Sequence, residues 1–511
     1  MNTAAGKVFL LLFIFTGLLS PYMDTGYSSE TEIKDTGTEA RIYNPSNRTK
    51  TKEGVSPANK TSRYKQPNIL LIGIETLRAD HVSCLGYARN TTPAIDKLAK
   101  EGVVFSRAIA SCSWTMPTIM SIFTSLYPDL HKATDGFKKL PEGITTLAEI
   151  LKENGYLTVA VVSSPILNHT FGFSKGFDLY DDFSVGLDID LDLFENDKTN
   201  RNHDIFGSGA MTSKAVNRTA VAWFEKNHQK PFFMFVFYFD PHYDYVPPAP
   251  FNTVFDPNYE GSIDGRRIAS ELRRTTRPAQ RDLDHMIALY DGEILYTDGY
   301  VSKLLEKLKE LQLLDETLII VFGDHGDEFY EHGSTVHGYT LYDEVIHFPL
   351  ILRWPGAVPQ NKQISALVSQ VDIMPTILDY LDVEYKGLMQ GSSLRPLIEG
   401  KKDKLHDIVY AEISMESDSI FAAAISKDHK FILDLNTGEK QLFDLFNDPG
   451  EQVNIYKRQS IKDAVPLEHR LTMWQSNNDK LAEQLIGDEK PEKVELDEHL
   501  LKQLKSLGYL Q

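Results

Sequence analysis

Cysteine is almost absent: Cys84 and Cys112 are the only two in 511 residues. Two thiols make at most one bridge, which excludes a disulfide-stapled scaffold and leaves open one disulfide or two reduced core cysteines. Positive charge is also in short supply. Lys and Arg number 53 against 72 Asp and Glu, a formal net charge of −19. Nucleic acid is held largely through Lys and Arg neutralising phosphates, so this balance, with no basic stripe, argues against a nucleic-acid partner. It does not argue against a small anionic substrate, because charges beyond about 10 Å are screened and a bound metal would dominate locally. Long apolar runs are missing too, with one exception, Val8 to Leu19 behind Lys7. That run is shorter than the roughly 20 residues of a bilayer-spanning helix. A charged start followed by a short apolar stretch is the pattern of an export signal. Residues 1–21 therefore read as a signal peptide or short anchor, and the protein as exported (periplasmic, extracellular or cell-surface).

What the chain does contain is a globular composition, 42% hydrophobic and 11% aromatic, which does not fit a mainly disordered protein. Residues 22–66 are polar, lack apolar periodicity and read as a flexible lead-in. From Pro67 the pattern changes. NILLIGIE, YLTVAVVSS, PFFMFVFYFD and TLIIVFGDHGD are continuous apolar runs of strand length, and VVFSRAIA reads as a further strand. Between them lie helical stretches such as TTPAIDKLAKEG, TTLAEILKENG and SKAVNRTAVAWFEKNH. This alternation predicts an α/β domain over 67–384, with a large, mostly parallel sheet flanked by helices. Shorter, turn-separated strands follow (IVYAEIS, IFAAAISKDHKFILDL, GEKQLFDL), then a helix, predicting a smaller C-terminal α+β subdomain over 385–511.

In open α/β sheets, ligands bind beyond the carboxyl ends of the strands. Three apolar runs here end in residues suited to metals or catalysis: Glu75 after NILLIGI, Asp240 and His242 after FFMFVFYF, Asp324 and His325 after TLIIVFG. An acid after a single strand is more often a helix cap or a solvated turn. Three such endings on one parallel edge favour a site. Thr115, in Trp114-Thr115-Met116-Pro117 ahead of a helix expected from Thr118 to Ser125, stands where free N–H groups favour an anion. Its hydroxyl is a poor nucleophile unless a metal or a base activates it.

The blocks ETLRADHVSCLGYARNTTPAIDKLAKEGVVFSRAIA, SWTMPTIMSIFTSLYP and FGDHGDEFYEHGSTVHGYTLYDEVIHFPLILRWPG, followed by VSQVDIMPTILDYL and QLFDLFNDPGEQVNIY, resemble the sulfatase family of the alkaline phosphatase superfamily. The resemblance runs from Asn68 nearly to the end and implies a metal-dependent ester hydrolase. Its departures bear on the chemistry. Formylglycine sulfatases carry Cys or Ser in C/S-x-P-x-R, where this chain has Thr115-Met116-Pro117-Thr118-Ile119. Threonine cannot become formylglycine, so none is expected and Thr115 acts directly. Those enzymes also present two adjacent acids in the first block and Asp-Asn in the second, against Glu75-Thr76 and Asp324-His325 here.

Glu75, Thr115, Asp324 and His325 together resemble the metal set of the superfamily's phosphoethanolamine and glycerol-phosphate transferases, which use a threonine nucleophile. Imidazole favours Zn²⁺ or Mn²⁺ over Ca²⁺. The resemblance further implies that His242 and His337 bind the transferring group or protonate the leaving group. Asp240 and Asp244 are the candidates for a second metal or for substrate, with one metal favoured over two. The expected reaction is hydrolysis of phosphate mono- or diesters. The alternatives are sulfate-ester hydrolysis without formylglycine and phosphoethanolamine-type transfer. The substrate is a small-molecule or glycan or lipid ester, and no stable partner is evident. His332 and His347 read as supporting residues, and Arg78 with Asp80 as a salt bridge.

Overall fold

The computed structural model describes residues 66–511 apart from 135–137, 183–210, 267, 269–276, 415–419, 458–463, 488–491 and 507–511. All of these lie in one compact unit, Ile42–Gln511. The expectations for residues 1–21 and 22–65 fall outside the described residues. Among the described residues, no helix is long and apolar enough to cross a membrane.

Strand β1, Asn68–Ile74, buries all seven of its residues. Successive side chains of a strand point to opposite faces. Ile69 and Leu71 accordingly join an apolar cluster with Phe105, Ile119 and Phe123, while Leu70, Ile72 and Ile74 join another with Val216, Leu289 and Tyr290. A strand with no solvent face thus glues two layers together, which is why its sequence shows no polar alternation. Gly73 is required here, since a Cβ would stand 2.5 Å from the Phe237 ring and 2.9 Å from that of Phe322.

The other strands of this sheet are β2 (Val103–Phe105), β3 (Leu157–Val162), β4 (Leu179–Asp181), β5 (Phe232–Tyr238), β6 (Thr317–Gly323), β7 (Leu350–Arg353) and β8 (Lys362–Ile364). Their order in space is β8-β2-β7-β6-β1-β5-β3-β4. Only β7 runs antiparallel to its neighbours, β6 and β2. The stretch VVFSRAIA, read as one strand, divides after Phe105: Ala108–Ile109 leaves the main sheet to pair with Val368–Ser369.

Helices α1 (Pro93–Lys100), α2 (Thr115–Thr124), α3 (Ser213–Asn227), α4 (Gln280–Glu310) and α5 (Ile373–Tyr380) cover the sheet. The 31-residue α4 buries a ridge of polar residues, Tyr290, Asp291, Glu293, Thr297 and Asp298, beneath the strand ends. Four antiparallel strands, β9 (Ile408–Ser414), β10 (Ile420–Ser426), β11 (His429–Asp434) and β12 (Lys440–Asp444), form the C-terminal sheet. The fully buried Lys430 ties it to the larger domain by pairing with Asp343 at 3.1 Å, and pairs within its own subdomain with Glu451 at 2.7 Å.

Register is what builds the site. β1 lies between β5 and β6, parallel to both, with Ile74 opposite Tyr238 and Gly323. Glu75, Phe239-Asp240 and Asp324 therefore leave the sheet at one edge.

Candidate active site

Thr115 enters this edge from α2. The helix starts at Thr115, three residues earlier than the pattern predicts, with Trp114 extended before it. Pro117 falls inside the first turn, where helix N–H groups have no intrahelical partner to lose. The Thr115 side chain is fully buried. Its Oγ1 lies 2.8 Å from Glu75 Oε1 and 3.1 Å from His325 Nε2.

His325 Nδ1 donates to the Gly326 carbonyl at 3.1 Å, so in the neutral ring the lone pair sits on Nε2. Thr115 thus has one hydroxyl proton facing two acceptors. Asp324 Oδ1 accepts from the Thr76 and His325 amides at 2.9 and 2.8 Å. Asp324 Oδ2 lies 3.3 Å from His325 Nε2. Like Glu75 Oε2, it is buried with no hydrogen bond. Burial and the neighbouring Asp324 push the Glu75 carboxyl well above the ordinary carboxylate range. Burial raises Asp324 as well.

Among the described residues, no group of three or more His, Cys, Asp and Glu is set out as a ready-made metal site. The side chains touch one another instead. The donor set nonetheless fits a cation, because two carboxylate oxygens without a hydrogen bond, an imidazole lone pair and a hydroxyl converge among fully buried residues.

The two further histidines stand together. The His337 ring centroid lies 4.4 Å from that of His325 and 5.2 Å from that of His242. His242 Nδ1 donates to the Tyr243 carbonyl at 2.6 Å. Burial, reinforced by His337, lowers its pKa to about 3, so it stays neutral. His337 Nδ1 lies 2.6 Å from Asp327 Oδ1, whose other oxygen accepts from Tyr245 Oη at 2.6 Å.

Asp240 and Asp244 leave the same edge with other partners. The Asp240 carboxylate accepts from the amides of Thr212 at 3.0 Å and Ser213 at 2.8 Å, and from the Ser213 hydroxyl. It is spent on the start of α3, an N-terminal anion site in which the helix itself binds the acid. Asp244 Oδ1 accepts from the Ile268 amide at 2.6 Å. Arg78 pairs with Asp80 at 2.7 Å and Glu331 at 2.6 Å. His332 stacks on Tyr342 with centroids 3.6 Å apart, and His347 bonds the Ser106 carbonyl at 3.1 Å. Cys84 and Cys112 form no disulfide.

Four buried polar residues around the site escaped the sequence reading: Asp327, Thr76, Tyr290 and Gln370. Thr76 is β-branched yet has φ +49°, a costly backbone state kept only where surroundings enforce it. Its amide bonds Asp324, its hydroxyl bonds the Pro241 carbonyl, and its carbonyl accepts from Tyr290 Oη at 2.6 Å. One strained residue so ties three strand ends. The second Asp of DHGD was a signal available for Asp327; nothing in the sequence singled out the other three.

The profile of the family described as Sulfatase matches residues 67–383, well over half the chain. The chain belongs to the sulfatase family. It is accordingly an ester hydrolase of the alkaline phosphatase superfamily. A second profile, N-sulphoglucosamine sulphohydrolase, C-terminal, matches residues 331–477. Among curated relatives, the chain is 24% identical over 427 residues to a Delta 4,5-hexuronate-2-O-sulfatase of Bacteroides thetaiotaomicron, covering 77% of this chain and 85% of that one. It is 25% identical over 456 residues to an arylsulfatase of Clostridium perfringens, covering 78% and 92%. Among solved structures, a phosphonate monoester hydrolase of Agrobacterium radiobacter superposes with TM-score 0.66 at 20% identity, covering 82% and 96%. That likeness bears on the fold, a large mixed α/β sheet with a small antiparallel C-terminal sheet.

Proposed function

We propose that this sulfatase-family chain is an exported, metal-dependent hydrolase of phosphate mono- or diesters with Thr115 as its nucleophile. One observation carries the reading: Thr115 Oγ1 stands between Glu75 Oε1 and His325 Nε2 at the first residue of a buried helix. A threonine there closes the formylglycine route and leaves a hydroxyl that needs activation. Glu75, Thr115, Asp324 and His325 would hold one divalent ion, Zn²⁺ or Mn²⁺ in preference to Ca²⁺. When bound, that ion supplies positive charge that acidifies a neighbouring hydroxyl and offsets charge on the phosphoryl group.

The protein's own groups do the rest. Thr115 Oγ1, its proton already given up to solvent, reacts as the alkoxide that a bound cation would favour. It attacks phosphorus in line, and the bond to the alcohol oxygen breaks. His337, oriented through Nδ1 by Asp327, delivers a proton to that oxygen. His242, whose Nδ1 proton is committed to the Tyr243 carbonyl, can donate to a phosphoryl oxygen only when Nε2 is protonated as well, a state that the negative charge of the substrate favours. Water then cleaves the phosphothreonine, with the same Thr115 alkoxide as the leaving group and His337 taking the proton of the water.

A second reading is favoured by the comparisons themselves: the matching family and both curated relatives carry sulfatase names. The test is a paired assay of metal-reconstituted wild type and Thr115→Ala on 4-nitrophenyl phosphate, bis(4-nitrophenyl) phosphate and 4-nitrophenyl sulfate. Phosphoester turnover that disappears in the variant supports the proposal. Sulfate turnover that survives in it overturns both the nucleophile and the reaction class. Head-group release that requires an added alcohol acceptor would make the enzyme a transferase.

A further inference from the structure

The ends of β1, β5 and β6 place Glu75, His242, Asp324 and His325. Thr115 comes from outside that trio, on a helix whose start must be registered separately. The segment leading to it, Ser111 to Trp114, issues from Ala108–Ile109, the parallel partner of Val368–Ser369. Directly after that partner comes Gln370, fully buried.

The Gln370 amide touches both halves of the site. Its Oε1 accepts from the Ser111 amide at 3.0 Å and lies 3.3 Å from the Ser111 hydroxyl. Its Nε2 donates to the main-chain carbonyl of Asp324 at 2.5 Å. The backbone that carries it is itself pinned. Ser369 and Asp372 form a reciprocal capping box, and Asp372 is held in turn by His406 at 2.9 Å and the Ser392 amide at 2.7 Å.

We propose that Gln370 is a positioning residue that sets the separation between the Thr115 hydroxyl and the Asp324–His325 pair. The chemistry admits few substitutes. The Asp324 carbonyl needs a donor and the Ser111 amide needs an acceptor, and a glutamine side chain presents both in one plane. Glutamate offers only acceptors when ionised, methionine offers neither, and asparagine is one methylene short. Gln370 touches no reacting atom; it acts through Ser111 and Asp324. The inference rests on the reading of Thr115, Asp324 and His325 as one site.

The experiment uses the full chain with Gln370→Met and Gln370→Glu, measuring kcat and KM on the best of the three esters and Zn²⁺ affinity by calorimetry. Loss of a partner behind metal ligands typically costs about 10–100-fold in affinity or activity. Both variants are expected to lose kcat and Zn²⁺ affinity in that range, with KM within about twofold of wild type. A merely structural residue would lower only the folded fraction. A folded Gln370→Met with kcat, KM and Zn²⁺ affinity all within about twofold of wild type overturns the proposal. If the methionine variant does not fold, the near-isosteric glutamate variant decides by the same criteria. A wild type that cleaves none of the esters refutes the proposed reaction but not the bridge, because the Zn²⁺ titration needs no turnover. In that case weaker binding by the variants supports the bridge. Unchanged binding, or a wild type that binds no Zn²⁺, overturns it.

Discussion

Asp291 and Glu75 are both fully withdrawn from water, yet their surroundings differ in kind. Asp291 Oδ1 lies 2.7 Å from His81 Nδ1, and Oδ2 accepts from Tyr87 Oη at 2.6 Å and Arg89 at 2.7 Å. Each oxygen has a donor, and a cation is at hand. Glu75 accepts one hydroxyl on Oε1 and no hydrogen bond on Oε2; burial and the Asp324 charge raise its pKa by more than the nearby Ser164 hydroxyl lowers it. Burying a charge is costly unless it is paired. The matched acid is therefore architecture: it fastens the 81–89 loop to α4. The mismatched acids are the ones that the proposal assigns to a cation.

Four expectations test this contrast, beginning with the largest. Glu75→Gln should lower kcat/KM by more than the roughly 100-fold seen for outer partners of a metal, while metal-free stability is unchanged or rises. Loss of stability together with retained activity would put Glu75 in the same category as Asp291. Asp291→Ala should destabilise by about 3 kcal/mol, near the low end for a broken buried pair because Arg89 remains 32% exposed. Denaturant titration measures it, and the folded fraction should keep wild-type kcat.

The third expectation concerns pH. A carboxyl whose folded pKa lies above its unfolded value contributes stability that is complete below the unfolded pKa and is lost as pH rises through the folded one. Glu75 and Asp324 are both raised. Metal-free protein should accordingly lose stability as pH rises above the ordinary carboxylate pKa of about 4, and saturating Zn²⁺ should reduce that slope by releasing the protons of these two acids. Thermal scans with and without the ion check this, and a slope that the ion does not alter would count against these acids as ligands. The smallest effect is expected for Asp240→Asn, about 1 kcal/mol of stability from a weakened helix start. Metal content should stay at one ion; a fall from two ions to one would return Asp240 to the ligand set.

The contrast also shows what a sequence can disclose. NILLIGIE and TLIIVFGDHGD state both their strands and the acids that end them, since buried parallel strands lack alternation and their last residue meets the ligand edge. Convergence of Glu75, Asp324 and His325 was therefore legible, whereas Thr115 joined them through the family resemblance. Asp240 ends an identical-looking strand but is consumed by Thr212 and Ser213, a difference that depends on where α3 docks. Asp291, Tyr290 and Gln370 were silent for the same reason. Their partners lie far away in sequence, 46 residues for Gln370 with Asp324 and 202–259 for the others, and no local pattern marks a side chain whose role is set by tertiary register. Helix α2 starts three residues before the expected Thr118, because its first turn tolerates Pro117, whose missing N–H has no intrahelical partner there.

The central claim is that Thr115 itself becomes esterified. The most direct measurement is acid quench of the metal-loaded enzyme during turnover of a phosphate ester, followed by peptide mass spectrometry. The account predicts a phosphoryl group on the Thr115 side chain that disappears with time after substrate is exhausted. Turnover with no adduct on Thr115, and with full activity in Thr115→Ala, would contradict it.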